Sequence, residues 1–123
     1  MEKLFLEVKS KVKIKIAKEE LAKLPKKTAL AATVQFVDQM KEIKERLGSK
    51  AEVKKGRQKY PGQVLGCDVS AVENVKADAI LYIGDGRFHP IAIKLKTNKD
   101  VYILNPYTSK ITKLETKDMK DYQ

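Results

Sequence analysis

Two short apolar runs, Thr28 to Thr33 (TALAAT) and Ala79 to Ile83 (AILYI), constrain what this chain can fold into more than any other feature. Neither alternates apolar with polar residues, so neither suits a strand that has one face in water. Both suit strands covered on two faces, which is the situation of a parallel sheet lying between layers of helices.

The residues after each run agree with that reading. Behind TALAAT, the side chains Val34, Val37, Met40, Ile43 and Leu47 recur at three- and four-residue steps, with Thr33 placed to cap the helix start and Gly48 to close its end. Ala51 to Lys54 then reads as a strand and Lys55 to Tyr60 as a basic loop, so the unit has the lengths of a parallel crossover. Behind AILYI and Gly84-Asp85-Gly86, the segment FHPIAIKLKTNK reads in two ways. Ile91, Ile93 and Leu95 alternate as in a strand, whereas Pro90 suits a first helical turn and Phe88, Ile91, Ala92 and Leu95 share a helical face. If Val101 to Leu104 runs parallel to Ala79 to Ile83, a crossover must join them, and the helix is the reading we adopt.

Outside this centre, Leu4, Leu6, Val8, Val12, Ile14 and Ile16 share one parity, which predicts a strand bent or broken near Ser10. AKEELAKLPKK predicts a short helix with Leu21 and Leu24 on one side, closed by Pro25. Ser109 to Leu114 predicts a small extra strand, and residues 115–123 a polar tail that frays. The expectation is an α/β fold: a single three-layer domain over residues 1–123, with a mainly parallel sheet of about four strands and flanking helices.

A chain of 123 residues is one ordinary domain, and it has no apolar run of membrane-spanning length. Its amino terminus alternates rather than forming the apolar block of a signal peptide, which predicts a soluble, cytoplasmic protein with no membrane partner. One cysteine excludes an internal disulfide. The net charge of +10 is uneven: residues 1–62 hold 17 basic against 8 acidic side chains, and residues 63–123 hold 9 against 8. Lys9, Lys11, Lys13 and Lys15 alternate with apolar residues and have no aromatics between them. A solvated strand face is the plainer reading and argues against direct nucleic-acid binding; the other is a docking surface for RNA or a ribonucleoprotein-associated partner.

In a parallel α/β sheet, sites form beyond the carboxyl ends of the strands. Four segments qualify: Thr33 to Phe36, Gly62 to Ser70, Gly84 to His89, and Asn105 to Tyr107. The second holds Cys67 inside PGQVLGCDVS. A lone cysteine is most often a small buried apolar residue, but Gly62, Gly66 and Asp68 beside it favour a functional loop. His89 before Pro90 suits a helix start as well as a site, and Asp85 with Arg87 suits a pinned turn as well as a binding loop. GDG lacks the lysine and third glycine of a phosphate loop, no Cys-His pairing has metal spacing, and no Ser-His-Asp set can be assigned. No base near Cys67 supports a stand-alone thiol enzyme.

The runs YPGQVLGCD (Tyr60 to Asp68), GDGRFHP (Gly84 to Pro90) and NPYT (Asn105 to Thr108), with the upstream TVQFVDQM helix, resemble in order and spacing the middle domain of the archaeal diphthamide synthase family. The resemblance covers nearly the whole chain. It implies a 3-amino-3-carboxypropyl transferase that uses S-adenosylmethionine as cosubstrate to modify a histidine of translation elongation factor 2, the first step of diphthamide biosynthesis. It further implies a 4Fe-4S cluster held by three cysteines from three similar domains, reductive formation of an aminocarboxypropyl radical, and a homodimer of the full enzyme. Cys67 matches the middle domain's cluster cysteine, and Gly66 lies next to it. By their place in the matched turns, Arg87 and His89 are candidates for catalytic contact, and Gln35, Gly66, Asp85 and Gly86 for cosubstrate binding. One thiolate cannot complete a cluster, so flanking domains or subunits must supply the other ligands, and the chain by itself is expected to be inactive. It reads as an excised middle domain or a split-off subunit. A noncatalytic interaction module that uses the basic surface is the alternative.

Overall fold

The strand Thr28–Ala32 (β1) is buried at every position, as its unbroken apolar sequence requires. The structure, a computed structural model, describes residues 15–65, 68–84, 86 and 88–115. Upstream of β1, the short helix Lys18–Leu21 (α1) ends ahead of Pro25. Downstream, a single 3-10 turn at Val34–Phe36 leads into the helix Val37–Leu47 (α2), which Gly48 closes at φ 60°. The strands Ala51–Glu52 (β2), Ala79–Ile83 (β3), Asp100–Asn105 (β4) and Lys110–Lys113 (β5) complete a five-stranded sheet in the order β2-β1-β3-β4-β5. The helices Ser70–Glu73 (α3) and Phe88–Thr97 (α4) precede β3 and β4.

β2, β1, β3 and β4 are parallel neighbours, and β5 returns antiparallel on β4. Alternate side chains of the central strands feed two separate cores. Ala29, Ala31, Ile80, Tyr82 and Val101 meet Val72 of α3 and Ile91 and Ile93 of α4. Leu30, Ala32, Leu81, Ile83 and Leu104 meet Val37, Met40 and Ile43 of α2. The two cores on opposite faces of one sheet are the three layers that the apolar runs predict.

The chain moves outward from β1 to β2 over the α2 face, then back across β1 to β3 and on to β4 over the α3 and α4 face. Right-handed crossovers running in opposite directions need opposite faces, so the order reverses between β1 and β3. A crevice at such a switch point opens at the carboxyl ends of the strands.

The segment 88–97 is a helix, as the crossover requires. Other expectations are corrected in detail. Thr33 makes no side-chain cap; its carbonyl instead accepts the Phe36 N–H at 2.9 Å, which tightens the first turn to 3-10 geometry. The second strand stops at Glu52 rather than Lys54, whereas the small extra strand expected over Ser109 to Leu114 is present as β5 and brings the sheet to five. Residues 4–14 of the predicted amino-terminal strand and residues 116–123 of the tail lie outside the described residues; Ile16 is buried against the α2 face but belongs to no strand.

The outer edge of β5 is covered rather than left open. Glu20 of α1 accepts the Ile111 N–H at 2.8 Å, and Lys23 donates to the Ile111 carbonyl at 3.2 Å while pairing with Glu20 at 2.8 Å. This short segment thus occupies the outward donor and acceptor of Ile111, which an edge strand would otherwise present to another chain. Among the described residues, no helix is long and apolar enough to cross a membrane.

Candidate functional site at the carboxyl edge of the sheet

The loop that leads to Cys67 is anchored before it turns. Tyr60-Pro61-Gly62-Gln63 forms a turn in which the Tyr60 carbonyl accepts the Gln63 N–H at 3.1 Å and Gly62 has φ 77°, the type II arrangement for which Pro and Gly are suited in these places. A Cβ on Gly62 would stand 2.6 Å from Met40 Sδ and 3.2 Å from the Leu30 carbonyl, so no larger residue fits without displacement. The Gln63 side chain closes the turn from the other direction by accepting the Tyr60 N–H at 3.0 Å. Ala32 then donates to the Gly62 carbonyl at 3.0 Å and accepts from Val64 at 2.9 Å, so the chain rejoins the sheet beside the last residue of β1.

Val64 is fully buried, and the next residue, Leu65, is 55% exposed. Leu65 and Asp68 exchange both backbone hydrogen bonds, at 3.1 and 2.7 Å, as an antiparallel bridge. The two residues between them in sequence, Gly66 and Cys67, lie outside the described residues, as do Asp85 and Arg87. The bridge stands at the carboxyl end of β1, one strand from the carboxyl end of β3.

Asp68 ties this bridge to the preceding loop. Its carboxylate accepts the Ser70 N–H at 3.0 Å, the Gln58 amide at 2.6 Å and the Arg57 guanidinium at 3.4 Å. Ser70 Oγ in turn accepts the Arg57 N–H at 2.8 Å. Hydrogen bonds from Ser70 and then Gln58, helped by the Arg57 charge, hold the Asp68 carboxyl well below the usual carboxylate range. A fixed anion therefore sits one residue from Cys67 in sequence. The Asp-x-Ser spacing is an Asx-turn signal that could have flagged Asp68 in advance; the Gln58 contact carries no local signal.

On the adjoining strand, Gly84 donates to the Leu104 carbonyl at 3.1 Å, and Gly86 is exposed with φ 78°. Phe88, which opens α4, is 54% exposed. The His89 ring lies parallel to that of Tyr82 at 5.8 Å and edge-on to Phe88 at 5.5 Å. Burial pushes the His89 pKa down, which favours the neutral imidazole. Beyond β4, the Asn105 side chain accepts the Tyr107 N–H at 2.8 Å, and the 58% exposed Tyr107 ring meets Phe36 edge-on at 6.2 Å.

Of the predicted site residues, Gln35, Gly86 and His89 are described, and all three lie at the same carboxyl edge: Gln35 exposed after β1, Gly86 and His89 after β3. The sequence reading missed the Asp68 network and the rim formed by Leu65, Phe88 and Tyr107, which are three of the four large apolar side chains exposed among the described residues. Single exposed apolar residues carry no signal in a sequence, and their common edge exists only once the strands are ordered.

Among the described residues, no group of three or more His, Cys, Asp or Glu could hold a metal ion. The chain's one cysteine fits a single corner of an iron-sulfur cluster by its soft thiolate chemistry, and it cannot supply the remaining corners.

Comparison with known proteins places this arrangement. The model of the family described as "Putative diphthamide synthesis protein" matches residues 1–122. The chain belongs to the diphthamide synthesis protein family. Its relatives in that family include 2-(3-amino-3-carboxypropyl)histidine synthase of Pyrococcus horikoshii, 44% identical over 94 residues that make up 72% of this chain and 27% of that protein. Subunit 1 of the synthase of Schizosaccharomyces pombe is 36% identical over 95 residues, 68% of this chain and 22% of that subunit. The crystal structure of Dph2 from Pyrococcus horikoshii with a 4Fe-4S cluster superposes with a TM-score of 0.78 at 35% identity, covering 89% of this chain and 35% of that one. The diphthamide family member described here thus spans between 22% and 27% of the length of these two curated relatives.

Proposed function

We propose that this chain supplies one thiolate, Cys67, to a 4Fe-4S cluster completed by other cysteine-bearing domains or subunits. The assembled protein would be a 3-amino-3-carboxypropyl transferase acting on a histidine of translation elongation factor 2, with S-adenosylmethionine as cosubstrate. The observation that carries the proposal is the anchored Leu65–Asp68 bridge at the switch point of the sheet, in a chain whose structural relative holds such a cluster. Cys67 would hold one corner of the cluster, which, once reduced by an external one-electron donor, would supply the electron for cleavage of a carbon–sulfur bond of the sulfonium cosubstrate.

The chain's own residues have separable roles in this proposal. The Pro61-Gly62 turn and the Asp68 hydrogen bonds set the position of the loop, lowering the entropy lost when a thiolate is captured. At Gly86 a Cβ would meet no atom within 4 Å, so its backbone is open to a cosubstrate, and exposed Gln35 offers an amide on the neighbouring turn. Gly66 and Asp85 complete the proposed cosubstrate contacts, and Arg87 and His89 the contacts nearest the reacting groups. The exposed Leu65, Phe88 and Tyr107 rim suits coverage by the units that bring the other thiolates, with a homodimer as the full assembly and the cytoplasm as its place.

Anaerobic reconstitution with iron and sulfide tests this. The chain by itself should retain no stable cluster, the assembly with its cysteine-bearing partners should show 4Fe-4S absorption and iron content, and Cys67→Ala should lower both. Full iron retention by that variant would overturn the assignment. Unchanged transferase activity of the assembled enzyme after Arg87→Ala and His89→Ala would remove those two residues from it.

A further inference from the structure

The opposite, amino-terminal end of the sheet carries a feature that the carboxyl-edge site does not use. Between α1, the Leu24-Pro25 bend and the last turn of α2 lies a cleft of about 620 Å³. Its floor is apolar: Leu21, Leu24 and Leu47 are half-buried and pack onto the α2-side core. Its rim is cationic, with Lys18, Lys26, Arg46 and Lys50 all exposed. No carboxylate among the described residues pairs with any of these four. Arg46 donates to the Ile16 carbonyl at 2.8 Å, which fixes the guanidinium in place without neutralising it.

Four like charges around one concavity repel one another, and each is relieved by an incoming anion. The apolar floor narrows the choice of anion. Free phosphate or a uniformly charged polymer would gain nothing from Leu21, Leu24 and Leu47, and among the described residues no aromatic side chain lines the cleft for a base to stack on. A second copy of this chain is opposed by its own charge of +10. The volume falls in the range that accepts a few side chains of a bound segment. We propose that this cleft docks an acidic, amphipathic segment of a partner protein, whose apolar side chains enter the floor while its Asp and Glu face the four cations.

The test measures fluorescence anisotropy with the whole chain and three labelled probes: a dodecapeptide alternating Leu with Asp and Glu, an all-Glu dodecapeptide, and a uridine dodecamer. The Leu-containing acidic peptide should bind tightest and weaken at high salt. Lys26→Glu combined with Lys50→Glu should weaken it by about tenfold, whereas Lys54→Glu with Lys55→Glu, an equal charge change outside the cleft, should leave it nearly unchanged. All four positions are exposed, so unchanged melting of both variants would confirm that folding is not what is read. Equal binding of the all-Glu or uridine probe, equal loss in both variants, or no binding of the Leu-containing peptide would overturn the proposal.

Discussion

Asp68, in the loop beside β1, and His89, on α4, both lie at the candidate site, and the pKa of each is lowered for a different reason. The Asp68 carboxyl is stabilised as an anion by Ser70 and Gln58, so its contribution to folding is present above the ordinary aspartate pKa and is lost as pH falls towards the depressed folded value. Hydrogen exchange should therefore show the Ser70 amide protected until strongly acidic conditions, and Asp68→Ala should speed its exchange severalfold at neutral pH. An unchanged Ser70 rate would mean the carboxylate does not hold the turn. His89 is depressed by burial, which disfavours its charged form. The unfolded chain then binds the extra proton first, so His89 stabilises fully above its ordinary value of 6.5 and loses that contribution as pH falls through the folded value. His89 is the chain's one histidine, so His89→Gln should flatten the decline in melting temperature just below neutrality. A decline of the same steepness in the variant would assign it elsewhere.

At the scale of elements, the turn at Tyr60 to Gln63 decides where the cysteine loop rejoins the sheet. Gly62→Ala meets both a positive φ and the Met40 thioether, and is expected to cost about 1–3 kcal/mol, read as a lower urea midpoint. A midpoint equal to that of the parent chain would show that the turn relaxes freely. Much of this was legible in the sequence, because Pro-Gly is a local turn signal and the helical stripe from Val34 to Leu47 is a local period. What escaped notice was the 3-10 turn after Thr33, whose side chain has the chemistry to cap but whose carbonyl took the bond instead.

For the whole molecule, one sheet serves two cores, so disturbing either face should weaken both. Leu81 is fully buried at the centre of β3 on the α2 side. Leu81→Ala is expected to cost about 2–5 kcal/mol and to raise exchange at amides of β1 and β4 together. Loss confined to the α2 side would show that the layers unfold separately. The same layering puts the Leu65–Asp68 bridge at the carboxyl edge of the sheet and the cationic cleft at its amino end.

The buried strands, the α2 stripe, the helix over 88–97 and the Pro61-Gly62 turn follow from local pattern: apolar runs, three- and four-residue recurrence, and turn residues act over a few positions of chain. The strand order, the α1 cover over Ile111, the Gln58–Asp68 contact and the shared edge of Leu65, Phe88 and Tyr107 join residues far apart in sequence. No local period encodes those pairings. They arise when the two faces of one sheet must be filled at once, and only the packed chain decides which distant groups then meet.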